Sequence, residues 1–175
     1  MMTLTWNHEN ELASPNVVPG GGGDIWPCKP NTETGLKERG FEFLAEMERL
    51  HMIVDVSHLS DRGFWDIAEH STRPFAASHS NCRALAPHCR NLTDEMIRVM
   101  AEKGGLVGLN YCSGFLDDQP RPELCRSTTA LMARHAAHFK QVGGIEIIGL
   151  GSDFDGIGGK LELSDCSKMP LLADA

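Results

Sequence analysis

Residues 145–156 read IEIIGLGSDFDG, an apolar run that breaks into glycine and then presents two carboxylates. An isoleucine-rich run of this length bounded by glycines has the pattern of a buried strand. Gly151 and Gly156 stop it near Ser152, so Asp153 stands at the strand's carboxyl end, while Asp155 reads more simply as a turn residue. The same design recurs upstream. MTLTW (2–6) is followed by Asn7 and His8, MIVDVSH (52–58) ends in His58, RPFAASHS (73–80) carries His79 near its end, and GGLVGLNY (104–111) reaches Asn110.

Helical patterns separate these runs. In TGLKERGFEFLAEMERL (34–50), Leu36, Phe43, Met47 and Leu50 recur at helical spacing with charges opposite. Ser60 is placed to cap a helix through DRGFWDIAEH, and Thr93 to cap DEMIRVMAEK, where Asp94 and Glu95 suit the first turn and Gly104 the stop. STTALMARHAAHFKQV puts Leu131, His135, His138 and Val142 on one stripe, which Gly143 and Gly144 end. Five strand candidates alternating with helices predict an α/β fold with a parallel sheet. An open doubly wound sheet gathers its chemistry at a switch point, whereas a (β/α)8 TIM barrel places it at the carboxyl ends of successive strands. Polar residues at every strand end favour the barrel. The expectation is about five of eight barrel strands in a single partial domain over residues 1–175, with a long glycine-rich loop at about 11–33. That loop holds Gly20 to Gly23 but no GxxxxGK[ST] pattern, so it reads as a flexible loop and not a phosphate cradle.

The totals narrow the function classes. With 41% hydrophobic and 23% charged residues the chain is globular in composition. Lys and Arg number 16 against 24 Asp and Glu and form no basic run, which argues against nucleic acid as a partner. No stretch approaches the roughly 18–20 apolar residues of a membrane span, and MMTLTWNHENELASPN lacks a signal peptide's basic and apolar regions. No membrane association and a cytoplasmic location are therefore expected. The six scattered cysteines read as reduced thiols, neither a disulfide framework nor a zinc knuckle.

His58 and His79 lie 21 residues apart, about one β-to-β repeat, so both rings can reach one barrel mouth. With a strand-end carboxylate they form a set that suits zinc. Taken alone, the pair is balanced between metal ligation and ordinary hydrogen-bonded structure. Asp153 is the candidate general acid/base beside a metal-bound water. Arg90, in APHCRNLTDE, is a candidate for bidentate capture of a substrate carboxylate, set against the commoner surface arginine near a helix start. Asp55, inside a strand run, needs a partner and is placed to support a ligand. His135 and His138 read as packed, hydrogen-bonded residues, and Cys82 and Cys89 as inert thiols.

The stretches LTWNHEN, GLKERGFEFLAEMERLHMIVDVSHLS, ASHSNCRALAPHCRNLTDEMI, GGLVGLNY, IGLGSDFDGI and DCSKMPLL, in this order and at this spacing, resemble the membrane (renal) dipeptidase family of zinc-dependent dipeptidases. The resemblance covers almost the whole chain. It implies a (β/α)8 barrel of the metal-dependent hydrolase type with two Zn2+ ions at its mouth, dipeptide substrates and a homodimer as a candidate assembly. It further implies that His58 and His79 ligate one zinc, that Arg90 contacts the substrate's terminal carboxylate and that Asp153 is the acid/base. Two features depart from the pattern. Trp6 stands where the family has a substrate-contacting His, with His8 the nearest stand-in. The family's HxD motif and zinc-bridging Glu lie upstream of LTWN and have no counterpart here. At most one partial zinc site is expected from this chain, and little activity from it alone. The alternatives are a non-catalytic remnant or interaction module, and a different amide-hydrolysing metal hydrolase of the same barrel superfamily.

Overall fold

The computed structural model of the chain describes residues 1–17 and 29–175. The four glycines and Cys28 lie outside the described residues. Among the described residues five short strands form one parallel sheet: β1 (Met2–Thr3), β2 (Val54–Asp55), β3 (Ala76–Ala77), β4 (Leu106–Leu109) and β5 (Ile148–Leu150). Their order in space is their order in sequence. A doubly wound sheet reverses direction at a switch point, and no reversal occurs here, so the expected barrel-type winding is what the strands adopt.

Between the strands run α1 (Glu38–Arg49), α2 (Asp61–His70), α3 (Asp94–Glu102), the short α4 (Ser113–Leu116) and α5 (Thr129–Gly143); α6 (Pro170–Ala173) follows β5. Both anticipated caps form: Ser60 Oγ accepts from Gly63 N at 2.9 Å and Thr93 Oγ1 from Met96 N at 3.3 Å. Gly104 ends the α3 segment with φ +68°, a conformation that favours glycine. The core lies between sheet and helices, where Val54, Val56, Val107 and Leu109 meet Phe64, Ile67, Ile97, Met100, Met132 and Phe139, all buried. Each buried Leu, Ile or Phe contributes about 1.5–3 kcal/mol of transfer free energy, so this layer supplies most of the stabilisation.

Three local readings change. The first helix starts at Glu38 instead of Thr34 because residues 34–37 pair with the loop before them: Ser14 N donates to Gly35 O and Lys37 N to Leu12 O. The buried stripe of α5 is Met132, His135 and Phe139, whereas Leu131 and Val142 flank it half-buried. Cys89 is disulfide-bonded, while Cys82, Cys112, Cys125 and Cys166 are free. Spacing along the chain carries no information about which cysteines meet in space, and the reduced-thiol argument for a cytosolic location loses its support at Cys89. At the sheet's β5 edge apolar surface remains open, with Leu150 64% exposed.

The strand ends are set by close backbone contact. A Cβ on Gly108 or on Gly151 would each fall 2.0 Å from the Ser78 carbonyl oxygen. Only glycine at both positions lets β4 and the end of β5 close around Ser78. That approach brings the chain after β3, which carries His79, against the chain after β5, which carries Asp153.

Candidate metal and substrate site

His58, His79, Arg90 and Asp153 line one cleft of about 680 Å³ at the carboxyl end of the sheet. Sequence reasoning named all four, and the fold brings them together from β2, β3, the loop before α3 and β5.

The two imidazoles define the centre. His58 Nε2 and His79 Nε2 stand 2.9 Å apart. His58 Nδ1 lies 3.0 Å from Asn7 Oδ1, an acceptor, which places the His58 proton on Nδ1 and leaves Nε2 a lone pair. Arg90 Nη2 donates to that same Nε2 at 3.1 Å, in accord with its acceptor role. Burial first, then the neighbouring Arg90 and His79, pushes the His58 pKa down to about 2; burial and Arg90 lower that of His79 as well, with Asp153 and Asp55 opposing. Two neutral imidazoles that point nitrogen atoms at each other are a donor set in want of a cation, and this chemistry fits a zinc ion. The set is short of complete. Among the described residues no group of three or more His, Cys, Asp or Glu is placed to hold a metal.

Arg90 is 6% exposed, which overturns the surface-arginine alternative. Its guanidinium donates through Nη1 to the Ser57 carbonyl and through Nη2 to His79 O at 3.4 Å, with the Phe115 ring 5.3 Å beneath Cζ. Burial lowers its pKa to about 10, so it remains charged. Its loop is fastened by Arg83, whose guanidinium grips Asp61 in bidentate fashion (Nη1–Oδ2 2.6 Å, Nη2–Oδ1 2.8 Å) and also reaches the carbonyls of Asn91 and Cys89.

Asp153 departs from the simple strand-end picture. It adopts φ +61°, unusual for a residue other than glycine, and its own carbonyl accepts from Gly156 N and Ile157 N to build the turn. Its Oδ2 accepts from Asn110 Nδ2 at 3.4 Å, and Asn110 is fully buried. The turn thus belongs to Asp153 as much as to Asp155, which is exposed. Trp6, 62% exposed, overhangs His58 with ring centroids 6.2 Å apart, whereas His8 is exposed and lies beside Trp6. His135 and His138 are structural, as read: His135 joins Cys82 N to Leu116 O, and His138 Nε2 lies 2.8 Å from Asp94 Oδ1.

Sequence reasoning passed over Asn7 as a partner of His58, and Ser57 and Ser78 altogether. Asn7 carried a usable signal, since it follows β1 as His58 follows β2.

A sequence profile of the membrane dipeptidase family, peptidase family M19, matches residues 1–175. The chain belongs to this family. An uncharacterised protein of Klebsiella pneumoniae is 37% identical over 167 residues, 95% of this chain and 59% of its own length. An uncharacterised dipeptidase of Schizosaccharomyces pombe is 37% identical over 171 residues, 97% of this chain and 38% of its own. Among solved structures, a metallo peptidase from Rhodobacter sphaeroides, bound to a phosphinate mimic of the dipeptide L-Ala-D-Ala, superposes with a TM-score of 0.78 at 37% identity, covering 85% of this chain and 42% of the other. This M19 chain therefore spans about 40–60% of the length of these relatives, with the family's TIM-barrel-like fold. No helix among the described residues is long and apolar enough to cross a membrane.

Proposed function

We propose that this M19 chain carries part of the active site of a zinc-dependent dipeptidase. The observation that carries the reading is the pair of Nε2 atoms 2.9 Å apart, opening into the cleft that also holds Asp153 and Arg90. Zinc, when bound, would supply a Lewis acid and a water of lowered pKa. His58 and His79 would hold it, kept neutral by burial and oriented through Nδ1 by Asn7 Oδ1 for His58 and by Ser78 Oγ for His79. Asp153, held by Asn110, would take a proton from the attacking water and return it to the leaving amine. Arg90, charged and buried next to the cleft, would receive the substrate's carboxylate by exchanging one of its present acceptors for it. Trp6, Phe115 and Ile157 give the cleft apolar wall for the dipeptide's side chains.

With two histidines and no HxD, the 175 residues by themselves would hold at most one zinc ion on an incomplete ligand set, so low turnover is expected of the isolated chain. The test is hydrolysis of dipeptides, including those with a C-terminal D-residue, by the protein in its full genomic reading frame with zinc added. His58→Ala or His79→Ala should each reduce kcat/KM by at least about a hundredfold, the loss expected when a ligand is removed outright from a catalytic zinc. Undiminished hydrolysis by either variant would remove the proposed mechanism, and hydrolysis of ring amides but not dipeptides would move the assignment to another amide substrate.

A further inference from the structure

Asp55 is a buried carboxylate that the mechanism above does not use. It sits in β2 opposite Ala76 of β3, 6% exposed, where the two strands begin to part. Four donors converge on it. Its Oδ1 accepts from Ser57 N at 3.0 Å, from Ser57 Oγ at 2.8 Å and from Ser78 N at 3.0 Å, while Oδ2 accepts from Ser78 Oγ at 2.5 Å. An ionised carboxylate is acceptor-only and suits this crowd of donors.

The serine hydroxyl is the informative member. Ser78 Oγ also lies 2.7 Å from His79 Nδ1. A hydroxyl has one hydrogen. If Ser78 gave it to His79, two oxygens 2.5 Å apart would face each other with no proton between them. The Ser57 hydroxyl does not relieve that contact, because its own hydrogen is directed at Oδ1. The 2.5 Å contact to a carboxylate outweighs the 2.9 Å contact between the two Nε2 atoms, so Ser78 donates to Asp55 and accepts from His79. This puts the His79 proton on Nδ1 and leaves its Nε2 lone pair facing that of His58, a repulsion that a shared cation would remove.

We propose that Asp55 is a positioning residue that acts through the Ser78 hydroxyl, locking the His79 ring in the Nδ1–H tautomer with its Nε2 lone pair aimed at His58. The relay Asp55–Ser78–His79 gives His79 what Asn7 gives His58, but through a serine and with a charge behind it. The carboxylate also gathers the Ser57 and Ser78 backbone amides, so one group sets both the tautomer of His79 and the spacing of the strand ends that carry the two imidazoles. Its value to catalysis rests on the reading of His79 as a zinc ligand; the tautomer itself does not.

The test uses the metal-free chain labelled with 15N at histidine, with long-range 1H–15N correlation at neutral pH and the His79 signals assigned by His79→Gln. The expected result is a single Nδ1–H tautomer for His79. Ser78→Ala should mix the tautomers or reverse them, and Ser78→Thr should restore the original; Ser57→Ala is no control, because the Ser57 hydroxyl accepts from His79 N at 3.1 Å and lies 3.2 Å from the Ser78 hydroxyl. Asp55→Asn, of similar shape, should shift the tautomer as Ser78→Ala does. Zinc titration of the same variants in the full reading frame should show affinity about 10–100-fold weaker for Ser78→Ala and Asp55→Asn, and near wild type for Ser78→Thr. An unchanged Nδ1–H tautomer in a folded Ser78→Ala or Asp55→Asn chain overturns the relay. Absence of zinc binding by the protein in its full reading frame, with the tautomers behaving as stated, counts against the zinc dipeptidase reading and leaves the relay standing.

Discussion

Replacing Arg83 with Met removes the clasp that holds the Arg90 loop to α2. The guanidinium makes two short bonds to Asp61 and two to the carbonyls of Asn91 (2.8 Å) and Cys89 (3.1 Å). The side chains of Arg83 and Asp61 are 17% and 12% exposed, so the pair is mostly shielded from water. Breaking a fully buried pair costs about 3–5 kcal/mol because one charge is left uncompensated. Residual exposure lowers that figure, and so does the position of Asp61 in the first turn of α2, where the helix dipole favours a carboxylate by up to about 1 kcal/mol. The expected loss for Arg83→Met is about 2–4 kcal/mol, equivalent to a Tm lower by roughly 5–15 °C in a chain of this size. Urea unfolding measures it directly. Adding Asp61→Asn to Arg83→Met should recover a good part of the loss, since no buried charge is then left alone. A loss below about 0.5 kcal/mol, or a double variant no better than the single one, would show that the clasp is not what fastens the loop.

Other consequences follow from single contacts. Gly108→Ala drives a methyl into the Ser78 carbonyl, with the Gly151 Cα 2.9 Å away on the other side, and backbone on both sides has little room to yield; a loss of about 1–3 kcal/mol or more is expected in urea unfolding. His135 has its pKa lowered by burial to about 4. Its unfolded value is higher, so below about pH 6.5 the unfolded chain takes up a proton that the folded chain refuses, and stability should fall by up to about 1.4 kcal/mol per pH unit down to about pH 4. His58 and His79, also lowered by burial, add to the same slope, so His135→Gln should reduce it without abolishing it, and an unchanged slope would show that His135 takes no part. In the full reading frame, Asp153→Asn should cut kcat by about 10²–10⁴ with zinc affinity close to wild type, because Asp153 handles protons and is not a ligand in this reading.

The architecture was legible because strands and caps announce themselves locally. Short apolar runs ending in polar residues, two of them bounded by glycine, gave the five strands, and Ser60 and Thr93 marked helix starts that the structure keeps. The candidate residues were legible for a related reason: in this winding each strand's polar end faces the same mouth, so listing strand ends lists the cleft. What stayed hidden depends on contacts far apart in the chain. The pairing of residues 12–14 with 35–37 that delays α1, the disulfide at Cys89, the Asn7–His58 contact and the Ser78 hydroxyl between Asp55 and His79 are settled by tertiary geometry, about which periodicity is silent. The burial of Arg90 belongs to the same class, since a run reading CRN shows nothing of the carbonyls that await the guanidinium.

The central claim, that His58 and His79 share one ion, is tested most directly by X-ray absorption at the zinc edge on the protein loaded with one equivalent of zinc. Two imidazole nitrogens at about 2.0–2.1 Å from zinc are expected in the wild-type chain, falling to one in His58→Ala and in His79→Ala. A zinc environment without imidazole, or one that neither substitution alters, would contradict it.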